Sequence, residues 1–118
     1  QATAVVINLG PNDNGRGVTK ATFQAAYTTF VRQIRAKYPH AAIFAFETLR
    51  KVYATETQAV VKAFNAAGDS NVYFVNTEGW IGAGDYAADG GHPNDQGQMK
   101  IAKKLAPIIA KVLGIPAN

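Results

Sequence analysis

Ala4-Val5-Val6-Ile7-Asn8-Leu9-Gly10-Pro11-Asn12-Asp13 is the most informative stretch of the chain. Its first six residues are apolar on both faces for most of their length. That pattern belongs to an interior strand of a parallel sheet, not to a half-solvated antiparallel one. Gly10 to Gly15 then form a loop at the carboxyl end of that strand. Downstream, Thr19 can cap a helix running to about Lys37, with Phe23, Tyr27, Phe30, Val31 and Ile34 on one face. Pro39 ends it, and Ala41 to Glu47 reads as a second strand. Thr55, with Glu56 in the first turn, opens another helix whose Val60, Val61 and Phe64 point one way. Gly68 stands where a helix end favours a left-handed residue. Asn71 to Asn76 give a third strand, followed by a long Gly- and Asp-rich loop through His92. Asn94 or Asp95 caps a last helix carrying Met99, Ile101, Leu105, Ile108, Ile109 and Val112. Pro107 should kink or divide that helix, and Gly114 should end it. Apolar strands alternating with amphipathic helices define βαβ units, so residues 1–118 read as one α/β domain on a parallel sheet.

Composition narrows the class further. The chain has 118 residues, no cysteine, twelve basic against eight acidic side chains and 47% hydrophobic residues. A chain of this size buries somewhat under about 70% of its unfolded surface, enough for one core without staples. Disorder and a disulfide scaffold are excluded. No apolar run approaches the length needed to span a bilayer. The net charge of +4 is spread from Arg16 to Lys111, with only short pairs at Arg50–Lys51 and Lys103–Lys104. A nucleic-acid surface gathers such charge into a patch, so no specific nucleic-acid partner is expected. No signal peptide is visible after Gln1. A strand that reads as interior begins almost at once, so a partner strand, from this molecule or a second copy, is expected beside Val5 and Ile7.

Ligands of open parallel sheets bind outside the carboxyl ends of the strands. Three loops lie there: Gly10 to Gly17, Thr48 to Ala54, and Thr77 to His92. The Asn12 amide can donate to a developing oxyanion without changing charge, although Asn12 and Asp13 are also ordinary turn residues. In Asp89-Gly90-Gly91-His92-Pro93-Asn94, the carboxylate can turn back to the histidine three residues on. It would fix the tautomer and leave Nε2 as a general base. Arg50 and Lys51 could meet an anionic or sugar substrate, and Trp80 and Tyr86 could stack on a sugar ring or pack over the sheet end. Asp85, Asp89, His92 and Asp95 could surround a divalent ion, but their spacing matches no closed zinc or calcium pattern. His40 reads as a solvent-exposed turn residue.

Taken together, two blocks resemble those of the SGNH (GDSL-type) hydrolases. Val5 to Asp13 looks like that family's strand followed by Gly-x-Asn-Asp, and Asp89 to Gly97 looks like its Asp-x-x-His-Pro block. They stand in the family's order, about eighty residues apart, with two strand–helix units between. The wording around Thr22-Phe23-Gln24 and Phe64-Asn65-Ala66-Ala67-Gly68-Asp69 is similar to secreted fungal members allied to carbohydrate acetyl esterases. The resemblance implies a flavodoxin-like three-layer α/β/α sandwich, of which this chain supplies three parallel strands with helices on both faces. It further implies an extracellular, cofactor-free acylhydrolase acting on an ester or acetylated carbohydrate. Within it, Asn12 would be an oxyanion donor, His92 the general base and Asp89 its orienting partner. Gly10, Asp13, Arg50 and Trp80 would line the substrate. The family's nucleophile turn, Gly-Asp-Ser after a first strand, and its oxyanion glycine would both precede Gln1.

Ser70, the chain's single serine, completes a Gly68-Asp69-Ser70 tripeptide that spells the nucleophile motif. The order of elements is reversed, however. A helix precedes it and a strand follows, so Ser70 belongs at the amino end of the sheet. A six-residue strand rises about 20 Å, whereas a nucleophile and its base must come within about 3 Å. Ser70 therefore reads as a helix end and turn. Two main expectations follow. One is the carboxyl-terminal portion of an SGNH esterase whose nucleophile comes from an amino-terminal segment. The other is a non-enzymatic secreted protein on the same scaffold that binds, or is toxic to, a target. A metal-assisted hydrolase using Asp85, Asp89 and His92 is a third.

Overall fold

The computed structural model describes residues 3–9, 16–48, 52–88 and 92–115. It contains two compact units, Gln1–Thr77 and Glu78–Asn118. In the first, strand β1 (Ala4–Ile7), helix α1 (Lys20–Lys37), strand β2 (Ala42–Phe46), helix α2 (Ala54–Ala66) and strand β3 (Val72–Val75) follow one another. The strands are parallel and lie in the order β1-β2-β3, with Val5 opposite Ile43 and Ile43 opposite Val72. Parallel pairing forces a crossover after each strand, which is why two amphipathic helices separate three short apolar runs.

Successive strand residues face opposite ways. Val5, Ile7, Ile43, Ala45, Val72 and Phe74 share the face on which both helices pack. Ile43 and Val31 are fully buried at its centre, among Phe23, Tyr27, Ile34, Val60 and Val61. On the other face Phe44 stacks on Tyr73, ring centroids 5.3 Å apart. All five residues of β2 are buried, as a central strand requires. β1, which reads as interior from its sequence, forms one edge of these three strands, and β3 forms the other. Val6 accordingly is 41% exposed. The strands follow chain order, so the middle place falls to β2.

Thr19 caps α1 as expected, its hydroxyl accepting from the Thr22 N–H at 3.2 Å. Phe30 departs from expectation, lying on the flank of the helix and exposed. The cap of α2 also differs. The helix begins at Ala54, and Thr55 falls within its first turn. Its N-cap is Tyr53, a non-glycine residue in the left-handed region at φ 55°. Tyr53 is held there by tertiary contacts: its ring stacks on Phe23 at 4.0 Å, and its hydroxyl donates to the Val18 carbonyl. The two helix starts are thereby fastened together.

In the second unit a 3-10 turn, Ala83–Asp85, precedes helix α3, Asp95–Leu113. Asn94 is the N-cap and Gly114, left-handed at φ 70°, closes the helix. α3 is not divided at Pro107. The proline removes only one helical donor, and Pro107 and Lys103 are both exposed, so the carbonyl left without that donor lies toward water. Met99, in the apolar series of this helix, is 59% exposed. No described helix is long and apolar enough to cross a membrane.

Candidate active site

The carboxyl edge of the sheet is built from short polar tails on apolar strands. Beyond β2, Glu47 and Thr48 are buried, and beyond β3 so is Thr77. The Glu47 N–H donates to the Val75 carbonyl at 2.9 Å. The Thr77 hydroxyl donates back to the Glu47 carbonyl at 3.0 Å and reaches the Glu47 carboxylate at 3.1 Å. The ends of β2 and β3 are thus pinned side by side, and the loops beyond them start from a fixed platform. The Thr48 hydroxyl is buried beside them with no hydrogen-bond partner among the described residues. Glu47, Thr48 and Thr77 carry no expectation from the sequence. The only signal was a carboxylate closing an otherwise wholly apolar run.

Gly10, Asn12, Asp13, Arg50 and Asp89 lie outside the described residues. His92 and Trp80 are described, both in the second unit, the first exposed and the second half-buried. His92 sits on a loop closed at its base. Tyr86 and Pro93 form an antiparallel bridge, and the Ala87 N–H donates to the His92 carbonyl at 2.7 Å. Immediately after it, Asn94 uses every group it has. Its N–H donates to the Asp85 carbonyl at 2.8 Å, its side-chain oxygen accepts from the Gly97 N–H at 2.9 Å, and its side-chain nitrogen donates to the carbonyls of Gly84 and Tyr86. The cap of α3 therefore also holds the loop that carries His92.

Asp85 is the other fixed point. It is 2% exposed, and its Oδ2 accepts from the Gly82 N–H at 2.8 Å and from Lys100 Nζ at 2.9 Å. These contacts, the backbone one first, hold its carboxyl below the usual carboxylate range against the opposing effect of burial. Among the described residues no three His, Asp or Glu side chains come together as metal ligands. Asp85, one of the residues considered for a metal, is engaged by Lys100 instead.

Ser70 follows the end of α2, where Gly68 takes φ 105°, and precedes β3. It is exposed at the amino end of that strand, as its place in the sequence indicates. His40 likewise lies in an exposed turn before β2. A cleft of about 460 Å³ opens between the starts of α1 and α2, lined by Thr19, Lys20, Tyr53 and Glu56 among others. Its described lining includes neither His92 nor Trp80.

The model of the GDSL-like lipase/acylhydrolase family matches residues 1–100. The cellulase/esterase CelE of Acetivibrio thermocellus is 34% identical over 120 residues, covering 93% of this chain and 14% of that protein. An active-site mutant of a family two carbohydrate esterase from Clostridium thermocellum superposes with a TM-score of 0.86 at 30% identity, over 97% of this chain and 37% of that one. A structure of such an esterase in complex with cellohexaose gives a TM-score of 0.76 at 28% identity, over 95% and 36% of the two chains. The chain therefore spans well under half of each of these relatives. With the parallel α/β sheet and a family match over most of its length, this chain belongs to the GDSL-like lipase/acylhydrolase family.

Proposed function

We propose that this chain carries the base and oxyanion side of a carbohydrate acetyl esterase, completed by a segment that brings the nucleophilic serine. The family match over residues 1–100 carries this reading, because it spans both the Gly10 to Asp13 loop and the Asp89 to His92 block. Relatives named as carbohydrate esterases, one of them in complex with cellohexaose, favour an acetylated glycan over a lipid ester. Such polymers lie outside cells, which makes an extracellular setting the natural one.

In this mechanism His92 accepts the serine proton as the hydroxyl attacks the ester carbonyl. Asp89 orients the ring, and Asn12 donates to the oxyanion of the tetrahedral intermediate. His92 then returns the proton to the departing sugar hydroxyl. Water hydrolyses the acetyl-enzyme by the same route, releasing acetate. Gly10 and Asp13 shape the oxyanion loop, while Trp80 and Arg50 meet the sugar. The outer edge of β1 is where the strand preceding the serine would pair. No cofactor is called for.

Ser70's position favours a second reading, a glycan-binding protein on this scaffold without turnover. Acetate release from acetylated xylan or cello-oligosaccharide separates the two, measured on native material of known intact mass. The esterase reading expects release that His92→Ala abolishes while the fold persists. Full turnover by His92→Ala would overturn it. Oligosaccharide binding with no acetate release would establish the second reading.

A further inference from the structure

A carboxylate buried to 2% exposure is an expensive way to finish a three-residue turn. Asparagine or serine could accept from the Gly82 N–H at lower cost. What only the carboxylate adds is the charged bond to Lys100, one helical turn into α3. Its Oδ1 makes no hydrogen bond among the described residues, with only the nearby Gln96 side chain favouring the charged form, so little of the cost is recovered there. The same residue's carbonyl accepts from the Asn94 N–H. Asp85 therefore joins three things: the turn before the His92 loop, the cap after it, and the body of the helix. Gly97 makes the approach possible, because a Cβ there would collide with the Asp85 carbonyl and crowd Pro93.

Two further contacts lie between these fixed points. Residues 86 and 93 bridge, and 87 bonds to 92. The contact of residue 85 with residue 94 is the next pair along the same ladder. We propose that Asp85, with Lys100, is a positioning residue for His92, setting the place of the imidazole through the backbone and without touching it. The catalytic meaning of this role rests on His92 being the general base proposed above; the mechanical coupling does not.

The coupling is tested on the full 118-residue chain by NMR, which needs no turnover. Asp85→Asn keeps an acceptor for Gly82 and discards the charge. Lys100→Gln discards the same bond from its exposed end and remains foldable should Asp85→Asn fail to fold. Lys100→Arg preserves the charged bond. The readouts are the imidazole resonances of His92 and hydrogen exchange at the Ala87 amide, the donor to the His92 carbonyl. His40, the only other histidine, and the β2 amides serve as internal references. The expected result is Ala87 exchange faster by about tenfold or more and shifted His92 resonances in Lys100→Gln and Asp85→Asn. His40 and β2 should be unchanged, and Lys100→Arg should match the parent. Unchanged Ala87 exchange and His92 resonances in a folded variant would overturn the proposal. So would a disturbance spread equally over His40 and β2. A failed acetate assay bears on the esterase reading alone.

Discussion

The backbone carbonyl of Asp85 occupies the space that a Cβ on Gly97 would need, well under the 3.0 Å that real Cβ atoms respect. The obstacle is backbone, held by the Asn94 N–H at 2.8 Å, so it cannot swing aside as a long side chain would. In an open helix, glycine to alanine gains up to about 1 kcal/mol. Here overpacking, at about 1–3 kcal/mol, opposes it and wins. Gly97→Ala should therefore lower the urea midpoint. Equal or higher stability would show that the cap of α3 is looser than these distances indicate.

Asp85 also sets an acid limit. Its carboxyl is held below the ordinary value of 3.8 by the Gly82 N–H and Lys100, so the folded state binds its proton less readily than the unfolded chain. The stability it contributes is present above about pH 4 and is lost as pH falls through the lowered folded value. Asp85→Asn should be less stable than the parent at neutral pH, and the gap should narrow in acid. Urea midpoints at neutral pH and near pH 3 measure this directly. A gap independent of pH would mean the carboxylate's charge plays no part.

Much of the framework is legible in the sequence because it is local. Thr19 as a cap, the spacing of Phe23, Tyr27, Val31 and Ile34, and Gly114 as a helix end all follow from neighbours within a few residues. Ser70's place at the amino end of β3 follows from the order of helix and strand alone. Tyr53 was not legible, because nothing in Val52-Tyr53-Ala54 asks for a left-handed tyrosine; Phe23 and Val18, thirty or more residues away, impose it. Asp85 escaped for the same reason. Its partners Lys100 and Asn94 meet it across a loop, and no helical or strand period connects them. His92 was legible as a residue, but the Asn94 clasp that holds its loop was legible only as a cap.

Tyr27 puts a hydroxyl in the core with no hydrogen-bond partner among the described residues, and burial pushes its ionisation above the ordinary value of 10.0. Tyr27→Phe keeps the ring beside Phe23 and removes the unsatisfied group. It should be neutral or stabilising by up to about 1 kcal/mol at neutral pH. A raised folded value means the parent's stability is intact below about pH 10 and is lost as pH rises beyond it. The variant's advantage should grow in alkali. A loss above about 1 kcal/mol at neutral pH would reveal a partner for the hydroxyl.

Arg35 fastens the amino edge of the sheet, opposite the edge that Glu47 and Thr77 pin together. Its Nε and Nη2 bond the Asp69 carboxylate at 2.8 and 3.3 Å, and its Nη1 donates to the carbonyls of Tyr38, Pro39 and Ala41. Nη2 also reaches the Asn71 carbonyl. One planar fork thus joins the end of α1 to the entrances of β2 and β3. A lysine ammonium offers three donors at a single point and cannot span those positions. Arg35→Ala should destabilise the fold by about 2–3 kcal/mol, a charged hydrogen-bond loss compounded by carbonyls left without donors. Arg35→Lys should recover little of it. If lysine restores full stability, the guanidinium acts as a simple counter-charge to Asp69. Denaturant melts of both variants, with acetate release measured alongside, also separate this clamp from the site. Stability should fall while the activity of the folded fraction is unchanged.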